Sequence, residues 1–179
     1  MIKQDLKMIK LVRLHESISQ YWETWFNNDI VYVYFGNIGN KGTLETHGPP
    51  VSNPERLMND MVIEMRSQGY QDVDESDLID YTIQYRIPGW GTEEDLDKRH
   101  LNEENLGEAL EWTGTGFCEG GDIGSGTANI YCRVVDVHIA TRVIKDVLNQ
   151  SNSLEGVTLA YTDGDTYKIV YPQGGTIIF

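Results

Sequence analysis

Residues 29–42 read Asp-Ile-Val-Tyr-Val-Tyr-Phe-Gly-Asn-Ile-Gly-Asn-Lys-Gly, and their change of character decides the first half of the fold. Asp29 to Phe35 is β-branched and aromatic, the composition of a strand. Glycines then recur at 36, 39 and 42, where the backbone is expected to take shapes that most residues resist. The strand should end there in a tight turn. Upstream, Tyr21 to Phe26 (YWETWF) predicts a second strand that enters the first through a hairpin turn at Asn27-Asn28-Asp29. Residues 8–14 (MIKLVRL) predict another, separated by a polar break at Ser17 to Gln20, and Thr43 to Thr46 a short fourth. The result is a meander. Its aromatics, Tyr21, Trp22, Trp25, Phe26, Tyr32, Tyr34 and Phe35, fit cross-strand packing better than a ligand platform.

His47-Gly48-Pro49-Pro50 stops this sheet, and Asn53-Pro54 then opens a helix, a capping residue followed by the residue suited to the first helical position. Leu57, Met58, Met61, Val62 and Met65 recur at helical spacing, so one stripe should face the sheet, with the methionines as core filler. Gly69 ends the helix where a left-handed residue costs least, and Tyr70 can fold back over the last turn.

Together, the Phe35-Gly36-Asn37 tripeptide, the turn through Lys41-Gly42 and the helix closing in Gly69-Tyr70 resemble the WGR domain, named for a Trp-Gly-Arg tripeptide at a strand end. The resemblance spans roughly residues 8–74 and implies an antiparallel sheet with one helix. In family members of the poly(ADP-ribose) polymerases, the Trp and Arg help contact damaged DNA; Phe35 and Asn37 stand at those positions. Phe35 can still stack on a base or sugar, whereas Asn37 lacks the guanidinium that makes charge-assisted bonds to phosphate. Lys41 keeps a positive charge on the same turn.

The second half, residues 76–179 against 1–75 for the first domain, reads as a separate domain. Residues 78–87 (LIDYTIQYRI) alternate Ile79, Tyr81, Ile83, Tyr85 and Ile87 against Asp80, Thr82, Gln84 and Arg86, a half-buried strand. Pro88-Gly89-Trp90-Gly91 breaks it, and Thr92 caps a helix running toward Leu110 with a candidate interruption near Asn102. Leu96, Leu106, Ala109 and Leu110 supply its buried stripe. Between Thr113 and Asp136 lies a glycine-rich hairpin, in which Gly114 to Cys118 and a strand over residues 127–135 are joined by a glycine-rich connection, Glu119 to Gly126. It is a wide hairpin or a bulge rather than a phosphate cradle, because it feeds a strand instead of a helix N-terminus and carries acids. Asp136 caps a last helix with Val137, Ala140, Val143, Ile144, Val147 and Leu148 inward, and residues 157–161 and 167–171 form a final hairpin. The expected fold class is α+β: a WGR-like sheet with one helix, then a ferredoxin-like split βαβ sandwich with an extra strand.

The 179 residues are 40% hydrophobic, enough for a core, and no run approaches the roughly 18 apolar residues of a membrane span. The N-terminal MIKQDLKMIK lacks a signal peptide's apolar centre, so the expected compartment is cytoplasmic and no membrane partner is expected. Fourteen bases stand against 28 acids, net −14; the half after residue 75 holds 7 bases and 17 acids, a net of −10. Such a field repels phosphate backbones and attracts basic surfaces. Cys118 and Cys132 have no metal spacing and read as reduced thiols; hairpin pairing of the strands around them would bring them near each other. His15, His47, His100 and His138 fall in no zinc or protease motif. Asp163-Gly164-Asp165 is a turn, short of a calcium loop.

No nucleophile, metal or cofactor signature emerges, and the reading is a non-enzymatic protein with no cofactor. Its densest feature is Thr92 to Glu111, with eight acids, two bases and His100. Glu93, Glu94, Asp95, Asp97, Glu103 and Glu104 are the candidate docking residues for a basic protein, as in an immunity protein that neutralises a nuclease toxin or an inhibitor of a nucleic-acid enzyme. Phe35, Asn37 and Lys41 are candidates for the other edge of the working surface. The rival reading is a nucleic-acid-binding protein that uses the WGR-like turn.

Overall fold

The computed structural model describes residues 8–15 and 18–178. Residues 1–7, most of the stretch weighed as a signal peptide, and Ser17 of the polar break lie outside the described residues. The described chain is α+β, with three α-helices and two five-stranded antiparallel sheets, and it divides into two compact units, Met1–Asp74 and Glu75–Phe179. No helix among the described residues is long and apolar enough to cross a membrane.

In the first unit, β1 (Ile9–Arg13), β2 (Gln20–Asn27), β3 (Ile30–Asn37) and β4 (Thr43–His47) form the meander, followed by α1 (Pro54–Ser67) and a two-residue strand β5 (Gln71–Asp72). The strand order is β4-β3-β2-β1-β5. Asn28, at φ 52°, makes the β2–β3 turn, and that register places Trp25 opposite Tyr32 with their rings stacked 5.4 Å apart. The Asn53 side chain accepts the Arg56 N–H at the start of α1. Val62 packs with Leu11, Trp22, Val33 and Tyr70, and Met58 is also buried; Met61 and Met65 join that cluster only in part. Burying one such side chain contributes about 1.5–3 kcal/mol. Gly69 takes φ +91°, and the Tyr70 N–H closes back on the Met65 carbonyl at 3.2 Å. Strand β5 has no sequence signal, since two exposed residues carry no alternation; β1 recruits it as a partner edge.

Two of the three turn glycines serve a purpose other than the expected one. Gly39 has a positive φ of 87°, but Gly36 and Gly42 do not need the left-handed region. Both make room instead. A Cβ on Gly42 would lie 2.3 Å from the Tyr21 hydroxyl and 2.5 Å from the Phe35 carbonyl oxygen. The turn thus folds over Tyr21, whose hydroxyl donates to Asn40 O, while the Gly42 N–H donates to the Tyr34 hydroxyl at 2.7 Å.

The second unit runs β6 (Ile79–Arg86), α2 (Glu93–Trp112), β7 (Gly116–Gly124), β8 (Thr127–Val134), α3 (Val137–Gln150), β9 (Val157–Asp163) and β10 (Thr166–Tyr171). The strand order is β10-β9-β6-β8-β7, with β6 central and antiparallel to both neighbours. Tyr81, Ile83 and Tyr85 on β6 meet Leu106 and Leu110 of α2 and Ala140, Val143, Ile144 and Leu148 of α3 in one core. Asp136 caps α3 by accepting the Ile139 N–H at 2.8 Å.

Four expectations are corrected here. Helix α2 is unbroken through Asn102, whose side chain is buried on the inward face, so packing overrides the weak local preference of Asn for turns. Leu96 is only half-buried, and the inward stripe contains Arg99 and Asn102 beside Leu106 and Leu110. The β6 strand is buried on both faces, because Thr82 and Gln84 are 3% and 1% exposed. Gln84 holds the chain end there: its Nε2 donates to Ile178 O at 2.7 Å and its Oε1 accepts the Ile178 N–H at 2.9 Å. Finally, most of the glycine-rich connection is itself strand β7, closed to β8 by a two-residue turn at Ser125-Gly126 in which both φ values are positive. A bulge between Cys118 and Gly120 interrupts its register.

Candidate functional site

Helix α2 presents three different surfaces, and their chemistry follows from its 20 residues. Thr92 and Asp95 form a reciprocal capping box: the Thr92 side chain accepts the Asp95 N–H at 3.2 Å, and the Asp95 carboxylate accepts the Thr92 N–H at 2.8 Å. Those bonds, the backbone one first, hold the Asp95 carboxyl below its ordinary range. Glu93 and Glu94 occupy the first turn, where negative charge suits the helix dipole.

At roughly 100° per residue, Glu93, Asp97, His100, Glu104, Glu108 and Glu111 lie within about 80° of one another on the outward face. All six are exposed. At a rise of ~1.5 Å per residue they make an acidic stripe about 27 Å long. Leu101, 57% exposed, and Trp112, 46% exposed, border the same flank.

The second surface faces β7. Arg99 is 7% exposed and bonds Glu103 Oε2 through its NH1 at 2.6 Å. It lies directly over β7: a Cβ on Gly121 would come within 2.4 Å of that NH1. Gly121 is therefore the seat of a buried guanidinium. Beside it, His100, Glu103, Glu104, Gly107, Glu108 and Glu111 line an open groove of ≈ 420 Å³ with Cys118 at its floor. Cys132 lies opposite Cys118 across β7–β8, and both thiols are free. Their mutual hydrogen bond, followed by burial, pushes the Cys132 thiol well above its usual range.

The third surface is a cavity of ≈ 200 Å³ near the start of α2, bounded by Tyr85, Arg86, Asp95, Lys98, Arg99 and Glu155. Three of the second unit's seven bases gather here, so the cavity is separate in chemistry from the acidic stripe. Lys98 Nζ lies 5.5 Å from the Tyr85 ring centroid. Burial raises the Tyr85 hydroxyl above the ordinary tyrosine range.

Of the sequence-assigned acids, Glu93, Glu94, Asp97 and Glu104 are exposed on α2, while Asp95 is engaged in the cap and Glu103 is turned onto Arg99. Sequence reading omitted Glu108 and Glu111 from the docking set; counting at 100° per residue finds both. It also missed Arg99, because a lone Arg in a charged run carries no sign of burial. In the first unit, Phe35 packs against the Leu11–Trp22–Val62 cluster, Asn37 Oδ1 accepts a long 3.4 Å bond from Gln20 Nε2, and Lys41 is exposed. No group of three or more His, Cys, Asp and Glu among the described residues is placed to hold a metal ion.

The chain matches no family model, no curated protein and no solved structure.

Proposed function

We propose that this is a non-enzymatic acidic binding protein whose outward α2 face engages a basic protein, in the manner of an immunity protein or an inhibitor of a nucleic-acid enzyme. The observation that carries this reading is the continuous stripe of Glu93, Asp97, Glu104, Glu108 and Glu111 beside exposed Leu101. Charges so arranged steer a cationic partner into register, and the apolar flank supplies area that loses water on contact. The first unit we read as WGR-like, on its glycine turn and single helix. The second we read as ferredoxin-like, on its strand order with β10 added beside β9. The rival nucleic-acid reading has less behind it on the turn, where half-buried Phe35 packs against the core cluster and exposed Asn37 accepts a long bond from Gln20.

The test compares two double variants of equal net charge in binding to basic nucleases and to intact, nicked and single-stranded DNA. Glu104→Lys/Glu108→Lys reverses the stripe, whereas Asp146→Lys/Asp165→Lys changes exposed acids elsewhere in the same unit. Nuclease affinity should fall tenfold or more, about 1.4 kcal/mol, in the first variant and little in the second. Equal losses in both would reduce the stripe to bulk charge. Saturable, steeply salt-dependent DNA binding that weakens with Lys41→Ala would replace this reading with its rival.

A further inference from the structure

We propose that Cys118 and Cys132 are a redox-modification site: a low-molecular-weight disulfide converts the pair to a cross-strand disulfide, and the acidic groove over Cys118 selects cationic disulfides. These are the chain's only two cysteines. They are Cα partners in the β7–β8 ladder. Directly opposed residues in an antiparallel pair stand about 4.5–5.5 Å apart at Cα, inside the roughly 4.4–6.8 Å that a disulfide accepts.

The pairing depends on the bulge. Counting back from Gly124↔Thr127 without a shift would set Cys118 against Arg133 and Glu119 against Cys132. One extra residue between Cys118 and Gly120 turns Cys118 to the core-facing side, opposite Cys132.

Access is one-sided. Cys132 is 1% exposed, whereas Cys118 is half-buried at the floor of the groove. Gly107 of α2 stands over it, with an ideal Cβ position 4.0 Å from the Cys118 Cβ, so no side chain on that residue roofs the sulfur. The order of events follows. The Cys118 thiol loses its proton to water, and its thiolate attacks one sulfur of the incoming disulfide RSSR. The S–S bond breaks, and the departing RS⁻ takes up a proton as RSH. Cys132 then gives up its proton and attacks the Cys118 sulfur, releasing a second RSH. Two protein thiols are oxidised to one disulfide, and one RSSR is reduced to two RSH.

Selectivity comes from the walls. Glu103, Glu104, Glu108 and Glu111 line the groove with His100. Clustered charge of one sign concentrates counter-charged reagents and repels like-charged ones, and salt screens it. The reduced, folded full chain is treated with cystamine, which is dicationic, and with glutathione disulfide, which is anionic, at low and high salt. Intact mass and peptide mapping then follow the products. The expected result is a Cys118–Cys132 bond with either reagent. Cystamine should be faster by about tenfold or more at low salt, and the ratio should fall toward one at high salt.

Cys132→Ala should stop at a mixed disulfide on Cys118, and Cys118→Ala should be inert while folded. Gly107→Leu, which adds bulk where a Cβ has room, should slow the first step without touching either thiol. A mixed disulfide that persists in the unaltered chain, faster reaction of Cys118→Ala, or equal rates for both reagents at low salt would each overturn the proposal.

Discussion

Helices α2 and α3 cover the same face of the same sheet, yet they are built on different terms. Helix α3 turns Ala140, Val143, Ile144 and Leu148 inward and is held by apolar burial. Helix α2 relies on Leu106 and Leu110 toward its C-terminal end, while its earlier turns bury Arg99 and Asn102. Taking a guanidinium out of water costs several kcal/mol, and the nearby Glu103 carboxylate offsets that cost. The apolar helix can present any surface outward, and its role is packing. The polar one carries the acidic stripe and the groove over Cys118, so a chemical surface and a less economical interior occur on the same element.

The largest expected effect falls on α3. Leu148→Ala, at a fully buried site, should lower unfolding stability by about 2–5 kcal/mol in urea denaturation. A loss below about 1 kcal/mol would mean that α3 is not the apolar anchor described here. The next contrast lies within α2. Glu103→Gln leaves buried Arg99 without its counter-charge and should cost about 2 kcal/mol, whereas Glu104→Gln on the outward face should stay within about 0.5 kcal/mol. Equal effects would show that the Arg99–Glu103 pair does not hold the first half of the helix. The smallest effect compares two tyrosines on β6. The Tyr81 hydroxyl is 2.8 Å from Thr141 Oγ1 on α3, while the buried Tyr85 hydroxyl has no hydrogen-bond partner among the described residues. Tyr81→Phe should cost about 1 kcal/mol and Tyr85→Phe close to none. The reverse order would break the comparison at its finest point.

Local chemistry was legible wherever a residue acts on its immediate neighbours. Asn53-Pro54, Thr92 and Asp136 announce their helices, because a cap needs a side-chain acceptor within three residues of the N–H it satisfies. The alternation from Ile79 to Tyr85 announces β6 and identifies its core face. The exposed acids of α2 were legible in part: Glu93, Glu94, Asp97 and Glu104 are exposed, but exposed Glu108 and Glu111 were left out, and Asp95 and Glu103 are engaged by the cap and by Arg99. Strand β7 was read too short, as an arm ending at Cys118, because four glycines between Gly116 and Gly124 lack the side chains on which strand recognition rests. Two of them are explained only by distant atoms: a Cβ on Gly116 would collide with the Arg133 carbonyl, and one on Gly121 with Asn129 O and Arg99.

By itself, then, the sequence determined the α+β class, the meander, the helix starts and the acidic character of α2. These depend on spacing and on neighbours a few residues away. Only the tertiary structure decided that Gly36 and Gly42 make room for Tyr21, that Gln84 clasps Ile178, that Arg99 rests on Gly121, and that a one-residue bulge turns Cys118 toward Cys132. Each of these joins atoms that are far apart along the chain, and a shift of one residue in strand register would undo the cysteine pairing.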